Sequence, residues 1–275
     1  MAAELRSGIG RPVDLAYPSN RFVAVLTPLA GLAAGALSLF VAGDGFWEAV
    51  RTGVLSGGAA FLAWAIGREV EPDRPMAANA AAVGAPAVLL VGDPALGQLF
   101  AVLLAARIVV RSTGLAPTPV DLVVAVGLAI YVGTTDGGLP VALILAVALA
   151  ADVGLPGRAP QRSAVAALVA AAGSVIAALI AGGIRIDPLR PVGEEWILVG
   201  VAAVGLLVLA RPAVVLSTTD LSDELISPGR LRAARAITIV AGAAGFAWAG
   251  APALAALGAA WAALAATFVV SLIPR

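Results

Sequence analysis

From Phe22 to Arg275 the chain is a succession of apolar runs broken by short loops, most of them marked by arginine. This feature limits the fold more than any other, because it describes a solute of the bilayer rather than of water. A helix of about 20 apolar residues crosses a hydrocarbon core of roughly 30 Å. The composition agrees. Hydrophobic residues make up 61% and charged residues 12%, whereas a soluble domain carries roughly a quarter charged residues. The chain therefore reads as an all-α, polytopic membrane protein.

The runs and their breaks predict about ten transmembrane helices. They are Phe22–Ala42, Phe46–Ile66, Met76–Val91, Ala95–Val110, Pro119–Gly133, Leu139–Ala151, Ser163–Gly183, Trp196–Leu216, Ile237–Gly250 and Pro252–Ile273. Several middle runs are short, so eight or nine crossings with tilted or re-entrant segments stay open. Residues 1–275 read as a single integral membrane domain, with 1–21 an amino-terminal cytoplasmic segment and 217–235 a cytoplasmic loop. The first 21 residues hold Arg6, Arg11 and Arg21 without an apolar core, so they do not read as a signal peptide.

All 17 basic side chains are arginine; there is no histidine and no cysteine. Disulfides, thiol nucleophiles, imidazole bases and thiolate or imidazole metal sites are thereby excluded. The 17 acidic residues balance the arginines, and nothing points to a nucleic-acid partner. The expected partners are the bilayer and anionic lipid headgroups. Arginine also sets sidedness. With the amino terminus inside and ten helices, fourteen arginines fall on inner segments and three (Arg51, Arg185, Arg190) on outer loops. Both termini are expected in the cytoplasm, the protein being multi-pass in the cell membrane.

Two loops share punctuation. Gly67–Pro75 and Gly183–Pro191 each read Gly, two residues, a β-branched residue, an acid, Pro, one residue, Arg, Pro. Proline ends one helix and opens the next, so independently evolved helix ends explain the likeness. The alternative is a duplicated five-helix unit, whose second copy would be inverted in the membrane. Ten helices, cytoplasmic termini and two inverted halves are similar to the architecture of the drug/metabolite transporter superfamily. The resemblance is architectural and transfers no functional residue.

Several residues are candidates for chemistry. Arg107 and Arg111 lie four apart, on one helix face near its cytoplasmic end, and could hold a phosphate or an anionic substrate by bidentate bonds; the alternative is snorkelling to the interface. Thr27, Ser38, Ser56, Asn79, Gln98, Ser174 and Thr238 are uncharged polar residues within the runs. Asn79 and Gln98 are the substrate-contact candidates among them, since a buried amide needs partners; either could instead tie two helices together. The alternating acids Glu69, Glu71 and Asp73 offer oxygen ligands suited to Mg²⁺. Membrane prenyltransferases carry an Asp-rich motif in the corresponding loop. That motif differs in spacing and starts Asn-Asp, and the solvated loop paired by its own arginines is the competing reading.

The hydrophilic stretch from Ser217 to Arg235 has capping residues at Ser217–Asp220. It predicts a short surface helix with Leu221, Leu225 and Ile226 toward lipid. Arg230, Arg232 and Arg235 then form a basic patch for headgroups. Gly31–Gly35 and Gly53–Gly57 have the four-residue spacing of close helix contacts, and Gly242–Gly245 is a third small pair. Trp47, Trp64, Trp196, Trp248 and Trp261 fit interfacial anchoring.

The leading functional expectation is a transporter or permease for a small neutral, amphipathic or lipophilic solute, with no cofactor. A membrane enzyme acting on a lipid-linked phosphate or prenyl diphosphate is the first alternative. It would use Mg²⁺ on Glu69, Glu71 and Asp73 with phosphate on Arg107 and Arg111, and would require those groups to converge within about 10 Å. A non-catalytic membrane scaffold, docking a partner through 217–235, is the second.

Overall fold

The computed structural model describes residues 7–157, 160–182, 200, 203, 205, 207–211 and 215–273. Among them the structure is helical, with an isolated bridge between Thr218 and Leu225 in place of any strand. Helix α1 spans Pro18–Leu37 and continues as a π-helical turn, Ser38–Ala42. The next helices are α2 (Phe46–Val70), α3 (Pro75–Gly84, extended by a 3₁₀ turn to Leu90) and α4 (Leu96–Val110). They are followed by α5 (Pro119–Gly133), α6 (Leu139–Gly154) and α7 (Arg162–Ile180). After the 215–227 loop come α8 (Pro228–Ala249), α9 (Pro252–Ala256) and α10 (Gly258–Ser271).

Proline opens α1, α3, α5, α6, α8 and α9 at the first or second position, where its missing N–H costs nothing and its fixed φ suits a helix. α5 has the bounds read from the sequence, and its start is a capping box between Thr118 and Asp121. α8 starts nine residues before the expected Ile237, because Arg230, Arg232 and Arg235 are helical, with Arg230 and Arg235 turned into the bundle. The last apolar run is broken at Leu257 into α9 and α10. The expected helix Trp196–Leu216 lies largely outside the described residues; Gly200, Ala203, Gly205 and Leu207–Ala210 are helical. The loop 183–191, with Arg185 and Arg190, lies outside them too, as do Arg6, Arg158, Trp196 and Arg275.

Among the described residues, three helical stretches are long and apolar enough to cross a membrane unaided: Pro18–Ala42, Phe46–Val70 and Arg162–Ile180. Pro75–Leu90, Leu96–Val110, Pro119–Gly133, Leu139–Gly154 and Gly258–Ser271 are apolar but shorter.

Large apolar side chains cover much of the outside of the bundle. Phe40, Leu90 and Ile180 are each more than 80% exposed, and Leu32, Val54, Val83, Val123 and Leu168 stand out from their helices in the same way. A water-soluble protein rarely shows continuous apolar patches of this extent. The core is built on α4, whose residues from Leu99 to Val110 are nearly all buried against α2, α5, α6, α8 and α10. A helix that is apolar around its whole circumference and surrounded by others is the centre of a bundle.

α1 is held differently. Only 11% of its apolar window is buried, against 56% for α2. The middle of its contact with α2 is made of glycine. A Cβ on Gly31 would lie 2.9 Å from the Gly53 carbonyl oxygen, one on Gly53 2.8 Å from that of Gly31, and one on Gly57 2.9 Å from that of Thr27. The two glycine pairs noted in the sequence thus meet each other, backbone against backbone.

Candidate functional site: an ionic lattice at one end of the bundle

The helix ends gather in two sets. At one end lie residues 7–17, the starts of α1, α3, α5, α7 and α8, and the ends of α2, α4, α6 and α10. Their cross-links include Arg11–Glu69, Arg111–Asp152, Asp73 with Ser217, and Arg74 with the Ile273 carbonyl. At the opposite end Ala95 N–H donates to the Ala256 carbonyl, Gln98 reaches Asp136, and Arg51 pairs with Asp93 and Glu48. Among the described residues, the buried ion pairs all belong to the first end.

Three clusters make up this lattice. In the first, Glu69 is almost wholly buried at the end of α2; Arg107 of α4 donates Nε to its Oε1 at 3.0 Å, and Arg11 approaches the same oxygen at 3.6 Å. Arg11 also pairs with Asp220. Burial lowers the basicity of the Arg11 guanidinium, but Glu69 and Asp220 outweigh it and raise the pKa above the ordinary arginine value, so the charge persists at any working pH.

The second cluster centres on Asp152, fully buried near the end of α6. Arg111 forks onto both of its oxygens at 2.8 and 2.9 Å, and Arg230 of α8 adds a bond to Oδ1 at 2.9 Å. Two guanidiniums on one carboxylate leave an excess positive charge, and the surrounding backbone absorbs part of it. Arg230 also donates to the carbonyls of Val109 (2.8 Å) in the last turn of α4, and of Pro156 (2.7 Å) just beyond α6. The carbonyl end of a helix carries about half a negative charge, so the end of α4 offsets part of the excess. Arg111 reaches Asp152 because it caps α4 in the left-handed conformation, φ 51°. That backbone costs a non-glycine residue about 1–2 kcal/mol, which the bidentate bond offsets.

In the third cluster Arg235 of α8 bonds the Val70 carbonyl and Glu71 Oε2, both at 2.8 Å. Asp73 lies apart from these clusters and accepts from the Leu216 and Ser217 backbones and from the Ser217 hydroxyl. A small open depression of about 280 Å³ lies there, lined by Asp73, Arg74, Leu216 and Ser217.

The candidates named from the sequence are thus distributed as follows. Glu69 meets Arg107 in an ion pair, while Glu71 and Asp73 turn to α8 and to the 215–217 segment. Arg107 and Arg111 serve different acids. Among the described residues, no group of three or more carboxylates is placed to hold a metal ion. Asn79 Oδ1 accepts from Ser19 Oγ (2.7 Å), which in turn accepts from the Trp64 indole (2.9 Å), tying α3, α1 and α2. Gln98 donates to the Asp136 carbonyl at 2.9 Å and ties α4 to the α5–α6 turn. Ser174 and Thr238 bond back to carbonyls four residues earlier in their own helices, and Ser56 to the Ala30 carbonyl.

The 217–226 stretch is a small hairpin rather than the expected helix. Thr219 N–H donates to the Glu224 carbonyl, and Asp220 and Leu221 N–H groups donate to Ser112 and Thr113. Ile226 is buried, whereas Leu221 and Leu225 are exposed. The basic patch is also dispersed, since Arg230 and Arg235 point inward and Arg232 alone of the three is exposed. Trp47 is exposed at the start of α2, whereas Trp64 is buried.

Asp152, Asp121 and Arg11 were not singled out from the sequence. A lone acid in an apolar run is a signal in itself, and Thr118-Pro119-Val120-Asp121 has capping-box spacing. No protein-family model, curated protein or solved structure matches this chain.

Proposed function

We propose that this is a multi-pass membrane protein of about ten crossings, both termini in the cytoplasm, that carries a small neutral, amphipathic or lipid-like solute. One observation carries this reading: the bundle is apolar on its outside, while its buried charges are gathered and internally paired at the end where arginine concentrates. That arrangement suits a carrier closed on its cytoplasmic side, in which ion pairs between helix ends act as the gate. Such pairs exchange for water when helices rock apart, and re-form when they return.

The internal pairing also favours transport over lipid-phosphate chemistry. Each of Glu69, Glu71, Asp73, Arg107 and Arg111 is engaged by a partner within the chain. An enzyme handling a diphosphate would need these groups turned toward a shared centre.

The test is flux through proteoliposomes, with glycerol as a small neutral probe and rhodamine 6G as an amphipathic one. Either probe should cross at least about tenfold faster than in protein-free vesicles, a barrier lowering of roughly 1.4 kcal/mol. Rates equal to those of empty vesicles for both probes would contradict the assignment.

A further inference from the structure

We infer that residues 7–11 form a detachable plug seated in the closed end of the bundle. The segment bends at Gly8 and Ile9 and is held by α2, α4, α5, the 111–118 loop and the 217–226 hairpin. Ser7 Oγ and the Gly8 N–H both donate to the Asp121 carboxylate, at 2.5 and 2.7 Å, at the start of α5. The Gly8 carbonyl accepts from Thr113 Oγ1 at 2.6 Å, and the Ile9 carbonyl from Arg107 at 3.3 Å. The Ile9 side chain joins the apolar core, and Arg11 reaches Glu69 and Asp220. At Gly8 the backbone runs so close to the 111–118 loop that a Cβ would lie 2.5 Å from the Ala116 carbonyl oxygen.

Two features make this a plug rather than a fixed part of the fold. First, each of its buried partners keeps another bond without it. Asp121 keeps the Thr118 N–H at 2.8 Å, Glu69 keeps Arg107 at 3.0 Å, and Thr113 Oγ1 keeps the Leu115 N–H at 3.3 Å. Asp220 is already open to solvent. Departure of the segment therefore leaves each buried acid it touches with one bonded partner, Thr118 for Asp121 and Arg107 for Glu69. Second, residues 12–17 are exposed throughout and connect the plug to α1. Six extended residues reach about 20 Å, enough for the plug to leave its seat while α1 stays docked on α2. Local opening of this kind draws on segments with few buried apolar contacts; here Ile9 is the main one.

That the seat faces the cytoplasm rests on the functional reading above; the contact itself does not. The chain has no cysteine, so an introduced thiol reports cleanly. A Thr113→Cys thiol lies under Gly8, and a Thr238→Cys thiol lies fully buried within α8. In inside-out membrane vesicles, maleimide should label the Thr113→Cys thiol about tenfold faster when Gly8→Val is added, or when residues 2–11 are deleted, as expected for a local opening. The Thr238→Cys thiol should stay unlabelled in both backgrounds. The inference is overturned if neither change speeds labelling at position 113, or if position 238 becomes reactive along with it, which would make the segment a structural part of the bundle. This readout involves no flux, so it succeeds or fails apart from the transport assay.

Discussion

Asp152→Ala is expected to destabilise the bundle by about 3–5 kcal/mol, the cost of removing one partner from a buried ion pair. The carboxylate accepts three bonds, from Arg111 twice and from Arg230. Without it, two guanidiniums face each other between α4, α6 and α8 with only backbone carbonyls to neutralise them. Unfolding by SDS in mixed micelles, with tryptophan fluorescence as the probe, measures the loss. Replacing the cluster as a whole (Asp152→Leu, Arg111→Met, Arg230→Met) should recover part of it, since apolar residues can substitute for an intact buried triad. Recovery will be incomplete, because the Val109 and Pro156 carbonyls lose their donor. A midpoint for Asp152→Ala within about 0.5 kcal/mol of the parent would remove the lattice from the account of stability.

Gly53→Val should detach α1. The two helices touch through backbone at Gly31, Gly35, Gly53 and Gly57, and α1 has little other buried surface. A Cβ at position 53 meets a carbonyl oxygen that cannot rotate away, so the helices must separate along the whole contact. The expected cost is about 3 kcal/mol, the upper part of the usual range for overpacking. The same unfolding assay reads it. Val54→Ala provides the control, since Val54 faces outward at 61% exposure, and it should shift the midpoint little. If Gly53→Val behaved like Val54→Ala, the glycine contact would not be what holds α1.

The helices were legible because apolar run length and proline punctuation both depend on local chemistry. α5 begins and ends where Pro119 and Gly133 stand, and α4 within one residue of expectation. The glycine spacing was legible for the same reason, though which pair meets which is a tertiary fact. Charge was harder to read. Arg230 and Arg235 precede an apolar run yet already belong to its helix, and sequence cannot show which way a helix face turns, so a headgroup-facing patch is the natural expectation. Arg107 and Arg111 share a face on an ideal helix, but α4 stops between them. The left-handed cap at Arg111 sends its side chain to Asp152 while Arg107 keeps to Glu69. The 217–226 hairpin is hard to read because its serines, threonines and acids suit a helix cap and a turn equally. The bonds from Asp220 and Leu221 to the 112–113 backbone favour the turn.

The central claim is that the lattice end of this bundle faces the cytoplasm across a membrane that the apolar helices span. Reporter tags inserted beside Pro117 and Gly229, and others beside Asp93 and Asp136, test it directly in intact cells. The account predicts that the first two are shielded in the cytoplasm and the second two are exposed outside. Finding the Pro117 and Gly229 tags on the outer face, or all four on one side, would contradict it.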